Sequence, residues 1–155
     1  MERELSAIEV VEATQQLLRA IDTNDWGSYH ELMDSTATCS EPEAAGYLVD
    51  GLDFHLYYFR MVGDDGTPER RPLKQPPALC PQSTMSQPHV RLLSDTSAII
   101  SYIRLIQRQA NGIPSTSSFQ ETRVWQIVDG ELRNVHLHRS KVGEDAPPAS
   151  SQAQA

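Results

Sequence analysis

Three arginines stand where core strands should carry no charge. Arg104 lies in "SYIRLIQ", and Arg123 and Arg139 lie in "ETRVWQIVDGELRNVHLHRS", among Ile, Tyr, Val, Trp and Leu. A guanidinium offers five N–H donors in a planar fork, suited to gripping a carboxylate with two bonds at once. Left bare among apolar side chains it would cost several kcal/mol, on the order of the penalty for a buried ion. It therefore needs a partner or a wet cavity. Two arrangements satisfy that need. Glu121 can pair with Arg123 or Arg139 at a sheet rim, or the arginines can converge on a concave, partly apolar pocket that binds a carboxylate.

The register of the hairpin decides which side chains share a face. A two-residue type I′ turn at Asp129-Gly130 sets Val128 opposite Glu131, Arg123 opposite His136 and Trp125 opposite Asn134, and it mixes apolar with polar on both faces. A three-residue loop, with Gly130 left-handed in a G1 bulge, slips the pairing by one and swaps faces. Phe119, Glu121, Arg123, Trp125 and Ile127 then join Val135, Leu137 and Arg139. Gln120, Thr122, Gln126, Asn134, His136 and His138 collect on the other side. The second register segregates apolar from polar and is preferred. The face of Arg104 also carries Ile100, Tyr102 and Ile106, so a third guanidinium can join the cluster.

The elements that hold these residues are legible. At 155 residues the chain fits one domain, able to bury about two-thirds of its extended surface. "SAIEVVEATQQLLRAIDTND" opens with a capping box, Ser6 and Glu9, and repeats Ile8, Val11, Leu17, Leu18 and Ile21 at helical spacing. Asp25 is a fitting N-cap for a short helix, "WGSYHELMD". "TATCSEPE" and "GYLVDG" are strand-and-turn material, and "GLDFHLYYFRM" is helical. Residues 63–87, rich in Pro, Gly and charge, read as a long irregular loop. Four strands follow: 89–94, 97–109 and the two halves of the hairpin. Helices first and antiparallel strands last is an α+β arrangement. Domain 1–140 is followed by a tail, 141–155, expected to be disordered.

Charge and composition narrow the partners. A formal net charge of −8 lacks the basic face that nucleic acid requires. No apolar run is long enough to span a membrane, and the acidic, amphipathic N-terminus has no secretory pattern. Cys39 and Cys80 show no metal spacing and suit reduced thiols, so the expected setting is the cytoplasm.

The blocks "SEPEAAGYLVDGLDFHLYYF", "PHVRLL", "YIRL", "ETRVW" and "DGELRNVHLHRS", in that order, closely resemble the association, or hub, domain of calcium/calmodulin-dependent protein kinase II. The resemblance runs from about Ile8 to Ser140. It implies a nuclear-transport-factor-2-like cone, with a long N-terminal helix packed on a strongly curved antiparallel sheet around a cavity. It also implies homo-oligomers that close into two stacked rings, dodecamers, tetradecamers or a larger even number, and a link to kinase hub domains. In such hubs the cavity arginines fall at Arg104, Arg123 and Arg139, and His55 of the "DFH" block borders the same space. With Tyr102 and Glu121 they form the expected site for a small carboxylate or acidic peptide. Arg123→Ala is accordingly expected to abolish carboxylate binding and leave assembly intact.

The chain departs from the family in places. It has neither the glycine-rich loop nor the catalytic Asp block of a kinase, and no basic amphipathic helix of the kind that binds calmodulin. The 63–87 stretch is longer than its counterpart. Leu56 stands where the family usually has an arginine, and Cys39-Ser40 replaces a more apolar pair. No cofactor, metal or catalytic residue is expected. His136 and His138 lie on the outer face away from His55, Glu41 and Glu43 fit a turn-capping or interface role, and Phe54, Tyr57, Tyr58 and Phe59 fit helix–sheet packing. The alternative is a cone-fold isomerase, dehydratase or cyclase with Asp53 or His55 as base and Tyr102 as polarising donor. Three arginines favour a held anion over that chemistry.

Overall fold

A computed structural model describes residues 3–61, 80–110 and 112–143. Three helices, α1 (Ala7–Asp22), α2 (Trp26–Leu32) and α3 (Asp53–Met61), accompany six strands. These are β1 (Met33–Ser40), β2 (Val49–Asp50), β3 (Gln82–Ser94), β4 (Ser97–Ala110), β5 (Ile113–Val128) and β6 (Glu131–Val142). One curved sheet in the order β2-β1-β6-β5-β4-β3 results. It is antiparallel except where β1 runs parallel to β6. This is the α+β class expected, and the strand-and-turn stretches before α3 supply β1 and β2, which join the same sheet.

Local chemistry starts the first two helices where the sequence indicates. Ser6 Oγ accepts from Glu9 N at 3.2 Å, although the Glu9 carboxylate turns to Arg3 and completes no reciprocal box. Asp25 Oδ1 accepts from Ser28 N at 3.2 Å, capping α2. That helix ends at Leu32, and Met33 already belongs to β1. The buried stripe of α1 is Val10, Ala13, Thr14, Leu17, Leu18 and Ala20. Ile8 is turned outward, 72% exposed, so the stripe is rotated from the one expected. Tyr57 and Tyr58 are also exposed, while Phe59 of the same helix is buried on Tyr29.

Strand β3 begins at Gln82, earlier than the irregular stretch over 63–87 was expected to end; residues 63–79 lie outside the described residues. Pro88 is tolerated there because β3 is an edge strand and the register shifts between Ser86 and His89. Strand β6 reaches Val142, past the expected domain end, and the tail from 144 is outside the described residues.

The central hairpin uses the tighter turn. Val128 pairs with Glu131, and both Asp129 and Gly130 have positive φ, 51° and 82°, as a type I′ turn requires. The slip that segregates the faces comes further along. Trp125 pairs with Asn134 but Val124 with His136, so Val135 is an extra residue bulged out of β6. Beyond it Arg123 faces Leu137 and Glu121 faces Arg139, as in the preferred register. Asn134, expected outside, is fully buried inside. Its amide donates to the carbonyls of Val124 at 2.8 Å and His136 at 3.2 Å, supplying bonds at the bulge.

Candidate functional site

Strand alternation aims one row of β4 inward: Ala98, Ile100, Tyr102, Arg104 and Ile106 are all buried. From β5 come Glu121, Arg123 and Trp125, and from β6 Asn134, Leu137 and Arg139. Apolar residues fill one end of this inner face, with Trp125 and Ile100 fully buried. Toward the other end lies a cavity of about 290 Å³, bordered by Tyr29, Phe54, His55, Phe59, Leu137 and the four arginines 104, 108, 123 and 139.

Arg123 forms the floor and is 1% exposed. Its Nε donates to Tyr102 Oη at 2.9 Å, Nη1 to Asn134 Oδ1 at 3.0 Å and Nη2 to Glu121 Oε1 at 3.3 Å. The Tyr102 hydroxyl donates in turn to Glu121 Oε1 at 2.8 Å. The other Glu121 oxygen lies 3.4 Å from Arg104 Nη1. Arg104 is anchored further by Ser83 Oγ at 2.9 Å and Asp22 Oδ1 at 3.4 Å, and Asp22 also caps Ser83 N at 2.7 Å. The last residue of α1 is thereby tied to β3 and β4.

A second cluster sits nearer the opening. The chain leaves β1 through a 3-10 turn, Pro42–Ala44, that swings Glu41 and Glu43 over the cavity. Arg139 bonds Glu41 Oε2 at 3.5 Å and pairs with Glu43, while its guanidinium lies 4.9 Å above the Phe119 ring. Glu41 Oε1 is 2.6 Å from His55 Nε2, presented by α3.

These partners set the charge states. Burial alone would raise the pKa of Glu121, but Arg123, Arg104 and the Tyr102 bond outweigh it and hold the carboxyl below its usual range. Glu41 is likewise lowered: burial opposes, and the His55 bond and charge with Arg139 prevail. For His55, burial favours the neutral ring, yet Cys39 and Glu41 bring its pKa up to about 9. Tyr102 is raised, chiefly by burial. Arg123 stays cationic, because Tyr102 and Glu121 overcome its burial.

Four of the six expected site residues, Arg104, Arg123, Arg139 and His55, border the cavity; Glu121 and Tyr102 lie behind them. Glu121 bridges two of the arginines, so the ion-pair and cavity arrangements coexist. Of the residues named for an enzyme, His55 bonds Glu41 and has its pKa raised to about 9, Asp53 is exposed outside the cavity lining, and the Tyr102 hydroxyl donates to Glu121. His136 and His138 lie on the outer face, the former 2.7 Å from Thr38 Oγ1 through Nδ1. Glu41 and Glu43, expected in a turn-capping or interface role, meet Arg139 at the cavity, and Asp22 and Asn134 were not expected among the site residues. Acidic residues beside Pro42 were the one available signal, and they carried no information on which arginine they would meet. Arg108 follows Arg104 and Ile106 in the same inward row and was legible by parity.

Comparisons with known proteins agree with the geometry. A family model, calcium/calmodulin dependent protein kinase II association domain, matches residues 6–143. The delta subunit of calcium/calmodulin-dependent protein kinase type II from Oryctolagus cuniculus is 38% identical over 133 residues, 85% of this chain. The chain spans 23% of that relative's length. The hub homology domain of the kinase from Chlamydomonas reinhardtii superposes with a TM-score of 0.76 at 44% identity, covering 88% of this chain and 98% of that one. An NTF2-like protein from Cytophaga hutchinsonii, 18% identical with a TM-score of 0.64 over 89% of this chain and 100% of its own, shares the fold alone. With the match running from the cap of α1 to the end of β6, the chain belongs to the calcium/calmodulin-dependent protein kinase II association-domain family and has a nuclear-transport-factor-2-like fold.

Proposed function

We propose that this chain is a non-catalytic, self-assembling hub of the cytoplasm that closes into two-tiered rings of a dozen or more subunits. Its cavity receives a small carboxylate or an acidic peptide, and its rings are open to co-assembly with kinase hub domains. The observation that carries the assembly is the family match over residues 6–143. Exposed Tyr47, Leu48, Tyr57 and Ile113 supply apolar surface for subunit contacts. Among the described residues, no helix is long and apolar enough to cross a membrane. A native mass spectrum of the purified chain is expected to show an even-numbered assembly of twelve or more copies, and a monomer or simple dimer would refute it.

The cavity favours one mode of anion entry. Arg104 and Arg123 are saturated by buried partners, whereas Arg108 has no ion-pair partner among the described residues. Arg139 is held partly by Glu43, whose side chain is 37% exposed against 7% for Glu41. An incoming carboxylate that displaces Glu43 inherits the Arg139 fork with Arg108 beside it. Arg139→Ala is expected to weaken binding of a small dicarboxylate by about 10–100-fold, the worth of a charge-assisted bond. Glu43→Gln removes the internal competitor and tightens it several-fold. Calorimetry checks both; unchanged affinity in the two variants would place the anion elsewhere.

A further inference from the structure

Beside the arginine network, β1 and α3 bring together side chains from three metal-ligating classes. Cys39 Sγ, a carboxylate oxygen of Glu41 and a ring nitrogen of His55 all lie within 4.8 Å of one another. Cys39 is fully buried and His55 is 8% exposed. The second His55 nitrogen, Nδ1, is buried with no hydrogen bond of good geometry among the described residues, and the Cys39 thiol is a polar neighbour of the ring. A bound cation would reorganise this pocket and give its donors a use.

The donor set is informative. One thiolate, one imidazole and one carboxylate suit zinc, and three protein ligands leave a tetrahedral ion one open position. Bonds of about 2.0–2.3 Å place tetrahedral ligands about 3.3–3.8 Å apart, so small side-chain rotations close the present spacing. Glu41 can turn Oε1 to the ion and keep Oε2 toward Arg139. The nearby positive charge is already offset, Arg139 by Glu43 and Arg123 by Glu121.

We propose that Cys39, Glu41 and His55 form a binding site for zinc or a chemically similar divalent cation, with the open position toward the arginine-lined cavity. Binding expels the thiol proton and the proton shared between His55 and Glu41 as the ion enters. The site uses none of the arginines of the carboxylate proposal, although His55 borders the same cavity and Glu41 also meets Arg139.

Cobalt titration of the reduced, metal-free full chain tests it, because a cobalt–thiolate bond announces itself by charge-transfer absorption. One equivalent per chain is expected, with the band reversed by zinc. Cys39→Ser should lose the band while Cys80→Ser keeps it. No band in the parent chain, or a band that follows Cys80, overturns the site. Should Cys39→Ser prove unfolded by circular dichroism, His55→Asn keeps the thiol and must still weaken cobalt binding at least tenfold; unchanged binding in that folded variant overturns the proposal equally.

Discussion

Arg123→Ala is expected to lower stability by about 3–5 kcal/mol, the cost of breaking a buried ion pair from one side. The guanidinium it removes is 1% exposed and satisfies three acceptors: Tyr102, Asn134 and Glu121. Its loss leaves the Glu121 carboxylate, itself 1% exposed, with the Tyr102 hydroxyl and Arg104 at 3.4 Å as its nearest partners. It also frees Asn134 Oδ1 at the β6 bulge, where the same amide serves two carbonyls. The expectation from the sequence, that this change abolishes carboxylate binding and spares assembly, is therefore redirected by the geometry: Arg123 is first a structural cation. Urea denaturation at fixed protomer concentration measures the loss, because assembly makes apparent stability concentration-dependent. A loss below about 1 kcal/mol, the range of an exposed pair, would show that Glu121 is adequately held without Arg123. Arg123→Met with Glu121→Leu should recover most of the loss, since removing both charges leaves none stranded.

Between pH 6.5 and 9 the chain is expected to lose about 3 kcal/mol of stability through His55 alone, at 1.36 kcal/mol for each unit its pKa is raised. The ring titrates at about 9 in the folded chain against an ordinary 6.5. Its contribution is complete below 6.5 and fades as pH rises through 9. Facing it are Glu41, which it bonds, the Cys39 thiol, the Tyr29 ring, and Arg139 and Arg123 beyond Glu41. Glu41 and Glu121 act in the opposite sense. Their pKa values are lowered, so their stabilisation is present above about 4.5 and is lost as pH falls through the folded values. Maximum stability should then lie between about pH 4.5 and 6.5. Denaturation midpoints across pH 4 to 10 test this, and His55→Gln should flatten the alkaline limb. A parent curve level from 6.5 to 9 would mean that the His55–Glu41 bond does not hold the proton.

The hairpin shows how far sequence alone carried. Asp-Gly favours the two-residue turn with positive φ at both residues, and the structure uses it in place of the preferred three-residue loop. Hydrophobic segregation demanded the slipped register, and the observed register beyond Val124 obeys that too. The two seemed exclusive because a bulge at Val135 has no local signature. It is stabilised by Asn134, which the slipped register put outside and the two-residue turn set opposite Trp125. For β1, "TATCSEPE" marked strand-and-turn material but not where the strand begins: Met33, Ala37 and Cys39 share an inward parity that exposed Ser35 interrupts, where the register with β6 shifts between Met33 and Thr38.

What the amino-acid order determined by itself were the caps of α1 and α2, the inward rows of β4, β5 and the later part of β6, and therefore that Arg104, Arg123 and Arg139 point to one interior. Caps, turns and alternation depend on residues within a few positions of each other. Only the tertiary structure decided what each guanidinium meets there. Arg139 finds Glu41 across 98 positions and Arg104 finds Asp22 across 82. Such pairings follow from how the strands and α1 close on one another, and charge complementarity then selects among partners that the backbone has already brought within reach.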